Sequence, residues 1–137
     1  MPEKELILVS ACLAGLKTRY DGRIIGYPAC TEELQRCRWI PVCPEQLGGL
    51  ATPRPPADII GGDGDDVLDG NARVCCTDGT DVTAAFIEGA RQVLAIAQQQ
   101  AVSTAFLKAR SPSCGITRLG VAAALLRRHG CTVIEFG

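Results

Sequence analysis

The chain has 137 residues, 47% of them hydrophobic, 21% charged and 4% aromatic, with a net charge of −1. Those values describe one globular domain with a core of Val, Leu, Ile and Ala, and they exclude a disordered chain. The near-neutral balance argues against phosphate-backbone binding, and no apolar run reaches membrane-span length.

In chain order, Glu5 to Ser10 ("ELILVS") reads as a buried strand. The apolar run before Ser10 is too short for a signal peptide, so a cytoplasmic location is expected. A turn-rich stretch follows, and Thr31 is expected to cap a short helix reaching Gln35 or Arg36. Trp39 to Cys43 reads as a second strand, whose Pro41 predicts an edge or a bulge. The Pro- and Gly-rich segment from Gly48 to Cys76 is expected to be a long loop holding a small hairpin.

Asp81 opens the most regular helix pattern. Val82, Phe86, Ala90, Val93, Leu94 and Ala97 recur at helical spacing, with Glu88, Arg91, Gln92 and Gln99 opposite. Ser103 to Leu107 is a strand, and Leu119 to Arg128 is a helix apolar nearly all round. Gly130 stands where a C′ glycine belongs, and Thr132 to Phe136 is a last strand. Strands that alternate with helices predict a single α/β domain: a mainly parallel sheet flanked by helices, in Rossmann-like three-layer form, with a small hairpin insertion.

Eight cysteines stand out: Cys12, Cys30, Cys37, Cys43, Cys75, Cys76, Cys114 and Cys131. None forms a C-x-x-C pair, so neither a zinc ribbon nor a thioredoxin-type site has a local signature. Cys12, Cys43 and Cys114 each follow a predicted strand, at the end of an open sheet where ligands gather. Turn formers accompany them, and such loops bring backbone N–H groups close. For these three, the ligand and packing readings stand level on placement alone. The other five read as small buried hydrophobes. His129 is explained by the helix C-terminus, and "GGDGDD" by a solvated turn, since it lacks the spacing of a calcium loop.

The segments "VSACLAGLKTRYDG", "VCPEQLGGLATPRPPADI", "VLDGNARV", "GTDVTAAFIEGA" and "KARSPSCG" together resemble DUF523, a bacterial family whose characterised activity is 2-thiouracil desulfurase. The resemblance runs along almost the whole chain in the same order. It implies a 4Fe-4S cluster held by Cys12, Cys43 and Cys114, with one iron not ligated by protein. It also implies sulfur removal from a small thiolated pyrimidine without net redox change, and Fe-S assembly machinery to load the cluster. An iron with an open position is a Lewis acid for soft sulfur. The chain departs from the family pattern after Cys114: "ITRL" joins the last helix almost directly, where the family carries a longer Gly- and Asp-containing loop.

Water attacking a thiocarbonyl carbon needs a base. Glu45, two residues after Cys43, is the candidate, and a helix-start carboxylate is its plainer reading. Ser111 and Ser113 can orient substrate or only hold a turn. Lys108 can stabilise negative charge or simply be solvated. Arg19, Tyr20 and Asp21 can bind the substrate ring or form a plain turn. The rival functions are a desulfidase for another thio-substrate, a non-catalytic Fe-S or zinc module, and a packing protein with no metal.

Overall fold

The computed structural model describes residues 4–137. Four parallel strands form the main sheet: β1 (Leu6–Ser10), β2 (Arg38–Val42), β5 (Thr104–Lys108) and β6 (Thr132–Phe136), in the order β2-β1-β5-β6. β1 lies inside the sheet, which is why "LILVS" is an unbroken apolar run: Ile7, Leu8 and Val9 are fully buried. Their side chains alternate between the two faces. Ile7, Val9 and Phe106 pack with Leu13, Cys30 and Leu34, under helix α1 (Pro28–Leu34). Leu8, Ala105 and Leu107 pack with Val93, Ala97, Ala123 and Leu126, from helices α4 (Thr83–Gln99) and α5 (Val121–Arg128). Helices on both faces make three layers, as the sequence predicts. Pro41 is accommodated because β2 is an edge strand.

A separate antiparallel hairpin pairs β3 (Ala57–Ile60) with β4 (Arg73–Cys76). It shares a third apolar cluster with α4 and α5, centred on Val74, Phe86, Ala90 and Val121. Between its strands lies a helix absent from the sequence reading, α3 (Gly64–Leu68). The "GGDGDD" stretch starts it: Asp63 accepts from the Asp66 amide while the Asp66 side chain accepts from the Asp63 amide. This reciprocal capping replaces the solvated turn.

Three helix starts also differ. Thr31 is not a cap: α1 begins at Pro28, whose fixed φ suits a first helical turn, and Thr31 Oγ1 donates back to the Tyr27 carbonyl. α4 begins at Thr83, with Asp81 accepting from its amide from outside the helix. α5 begins at Val121 after Gly120. Gly130 does take the left-handed conformation expected of a C′ residue.

One close approach fixes the future site. The one-turn helix α2 (Pro44–Leu47) lies directly on α4. A Cβ on Gly89 would overlap the Pro44 carbonyl, and one on Gly48 would overlap the Ala85 carbonyl. Two glycines therefore let the α2 backbone touch the α4 backbone, which sets Cys43 and Glu45 at the sheet's carboxyl end.

Candidate active site

A cavity of about 390 Å³ opens beyond the carboxyl ends of β1, β2 and β5. Its wall includes Cys12, Cys43 and Cys114, together with Glu45, Ser111, Ser113, Lys108, Arg19 and Tyr20. The structure thus brings together nine of the ten residues singled out in the sequence. Asp21 is the exception: it is not part of the wall, and holds Arg19 from behind through bonds of 3.1 and 3.2 Å. Cys131 lies at the opposite, amino end of the sheet, ahead of β6 and against Val102.

Each thiol is placed by local structure. Cys12 lies in a 3-10 turn (Ala11–Ala14) that follows β1 and ends at the left-handed Gly15. Cys43 is the residue before α2, with Pro44 in the first helical position. Cys114 is only 4% exposed, in a loop closed by Ser111, whose Oγ accepts from the amides of Ser113 and Cys114. Gly115 and Gly120 let that loop fold tightly on itself, since a Cβ at either would collide with its backbone.

Burial raises all three thiol pKa values, and pushes Cys114 up to about 12. Cys12 and Cys43 raise it further, so the three sulfurs are close enough to feel one another's charge. Thiols raised in this way hold their protons at neutral pH.

The polar groups on the Glu45 side of the cavity are hydrogen-bonded to one another. Ser113 Oγ donates to Glu45 Oε2 at 3.1 Å and lies 3.0 Å from Ser111 Oγ. A hydroxyl has one proton, so with Ser113 donating to the carboxylate, Ser111 donates to Ser113. Glu45 Oε1 accepts from Arg54 Nε at 2.9 Å. Both side chains are largely shielded, Glu45 at 13% and Arg54 at 7% exposure. Arg54 escaped the sequence reading. Its signal was an arginine set between two prolines in "TPRPP", a rigid segment aimed at one place.

Lys108 lies at the end of β5, where its amide donates to Ser10 Oγ. Its ammonium donates to the Ala109 carbonyl at 2.8 Å and stands 5.4 Å from the Tyr27 ring centroid. Burial holds its pKa below the usual lysine value, with Arg19 and Arg110 adding to the effect and Cys12 opposing it. Arg19 also donates to the Tyr27 hydroxyl, and the 42% exposed Tyr20 stands at the rim.

A family model described as 2-thiouracil desulfurase matches residues 7–135. The chain belongs to this family. An uncharacterised protein of Bacillus subtilis (strain 168), YbbK, is 42% identical over 143 aligned positions, covering 95% of each chain. A solved structure, the 4Fe-4S-dependent thiouracil desulfidase TudS, is 38% identical with a TM-score of 0.80. The match covers 96% of this chain and 91% of that one.

The donor set suits an iron–sulfur group in chemistry and in placement. Three soft sulfur donors share one shielded cavity, with the Lys108, Arg19 and Arg54 cations around it. Among the described residues, no group of three or more His, Cys, Asp or Glu is set to hold one metal ion. A cluster makes a different demand, because each cysteine binds a separate iron.

Proposed function

We propose that this member of the 2-thiouracil desulfurase family is an iron–sulfur-dependent, non-redox desulfidase. It converts a small thiolated pyrimidine such as 2-thiouracil, plus water, into uracil and hydrogen sulfide. The observation that carries the reading is the convergence of Cys12, Cys43 and Cys114 with the Glu45–Ser113 pair on one cavity. The iron–sulfur dependence of TudS, which is 38% identical to this chain, supports it.

Cys12, Cys43 and Cys114 would hold a 4Fe-4S cluster, which when bound supplies a Lewis-acidic iron, free of a protein ligand, with affinity for soft sulfur. The protein's own groups then do the proton work. Glu45 takes a proton from water, because Arg54 fixes one of its oxygens and leaves the second at Ser113 with a lone pair to spare. Ser111 donates to Ser113 and Ser113 to Glu45, which leaves one Ser113 lone pair to accept a ring N–H of the substrate and orient it. Lys108 and Arg19 place positive charge where negative charge develops on sulfur and on the ring nitrogens. Tyr20 offers an aromatic face to the pyrimidine, and Asp21 keeps Arg19 in place. The atoms balance: water supplies the carbonyl oxygen and two protons, and sulfur leaves as sulfide.

Anaerobic cluster reconstitution followed by a sulfide-release assay on 2-thiouracil, 4-thiouracil and thiolated nucleosides tests this. Sulfide release from a thiouracil supports the reading. A brown, loaded protein that is inactive on all of them points to the non-catalytic module, and one that takes up no iron contradicts the cluster itself.

A further inference from the structure

We propose that Arg54 is a positioning residue that couples a cluster ligand to the catalytic base. This rests on the functional reading above. Arginine has five N–H donors in a fixed plane, and here the acceptors number five. Nε donates to Glu45 Oε1 at 2.9 Å. Nη1 donates to Thr52 Oγ1 at 2.8 Å and to the Ala51 carbonyl at 3.2 Å. Nη2 donates to the Thr18 carbonyl at 2.9 Å and points at Cys43 Sγ, 3.9 Å away. One side chain thus ties together the loop after Cys12, the end of β2, α2 and its own Pro-rich loop. Its amide adds a bond to the Tyr20 carbonyl at 2.7 Å.

Two effects follow from this fork. Glu45 Oε1 is held, so rotation cannot carry Oε2 away from Ser113 and the cavity. An N–H and a positive charge beside the Cys43 sulfur stabilise electron density there, which raises the reduction potential of a cluster bound to it. A lysine keeps the charge but cannot span Glu45, Thr18 and Cys43 together.

The test uses reconstituted parent, Arg54→Gln, Arg54→Lys, Glu45→Gln and the Glu45→Gln/Arg54→Gln double variant, with thiouracil turnover and an EPR-monitored redox titration. Arg54→Gln is expected to load iron, lower kcat by roughly 10- to 100-fold with little change in KM, and shift the midpoint potential to more negative values. Arg54→Lys is expected to recover the potential and not kcat. In the Glu45→Gln background, Arg54→Gln is expected to cost little further. Parent-like kcat and potential in loaded Arg54→Gln, or losses that multiply in the double variant, would overturn the proposal. If the Arg54 variants do not load, Thr52→Val removes one Nη1 anchor together with the Gln46 Nε2 bond to the same hydroxyl, and leaves Nε and Nη2 in place. It is expected to lower kcat by a smaller factor, and parent-like turnover there overturns the positioning role. A parent that loads but ignores thiouracils contradicts the substrate reading alone, and the potential shift still decides the Cys43 contact. A parent that takes up no cluster overturns both.

Discussion

At the residue scale, the three thiols differ from the other five by where the chain leaves the sheet. Cys30 is as buried as Cys114, but it lies on α1 in the cluster with Ile7, Val9 and Leu13 and is not part of the cavity wall. Replacing Cys12, Cys43 or Cys114 by Ser is therefore expected to abolish iron uptake, while Cys30→Ala and Cys131→Ala keep it, as read by iron content and visible absorption. Equal behaviour of all five would remove the ligand assignment. Glu45→Gln is expected to load normally and lose about 100-fold or more in kcat, the usual size of a lost general base. Unchanged sulfide release would eliminate Glu45 from the chemistry. The placement of Cys12, Cys43 and Cys114 at strand ends was legible locally in the sequence, whereas their reading as iron ligands and that of Glu45 as a base rest on the family resemblance. Arg54 was not legible, because its importance comes from Thr18, Cys43, Glu45 and Thr52 meeting in space.

At the element scale, the contact of α2 with α4 makes a prediction with an unusual sign. Ala in place of a mid-helix Gly ordinarily stabilises by about 0.5–1 kcal/mol. Gly89→Ala is instead expected to destabilise by about 1–3 kcal/mol, since its Cβ meets the Pro44 carbonyl and must push α2 outward. A raised Tm in thermal unfolding would show that α2 does not rest on α4 in this way. The short link after Cys114 is held from the other side. Glu135, on β6, accepts from the Ile116 amide at 2.9 Å and from Thr117 Oγ1 at 2.8 Å. The Ile116 amide, with Thr117, draws its pKa below the ordinary value of 4.5. A depressed folded pKa means that the stabilisation is present above the unfolded value and is lost as pH falls through the folded one. The parent is therefore expected to lose Tm on acidification below about pH 4.5 more steeply than Glu135→Gln does. Parallel Tm profiles would contradict this anchoring. The helix boundaries were only partly legible. α3 reads as loop because Gly and Asp dominate it, and its stability comes from a capping box and from Val67 reaching the third apolar cluster.

At the scale of the whole molecule, the alternation of strand and helix was enough to predict a parallel sheet with helices on both faces. The order β2-β1-β5-β6 was not written in it, because any right-handed crossover pattern satisfies the same alternation. That order matters. It places β1 between β2 and β5, so that the three loops carrying Cys12, Cys43 and Cys114 leave adjacent strands at one end. Among the described residues, no helix is long and apolar enough to cross a membrane. Under the proposed function, this arrangement replaces sulfur by the oxygen of water without net electron transfer. Its most direct test is turnover of 2-thiouracil by the anaerobically reconstituted protein in ¹⁸O-labelled water, with no reductant or oxidant added. One labelled oxygen in each uracil formed and one sulfide released per uracil are expected. Unlabelled uracil, or turnover that appears only when a reductant is supplied, would contradict it.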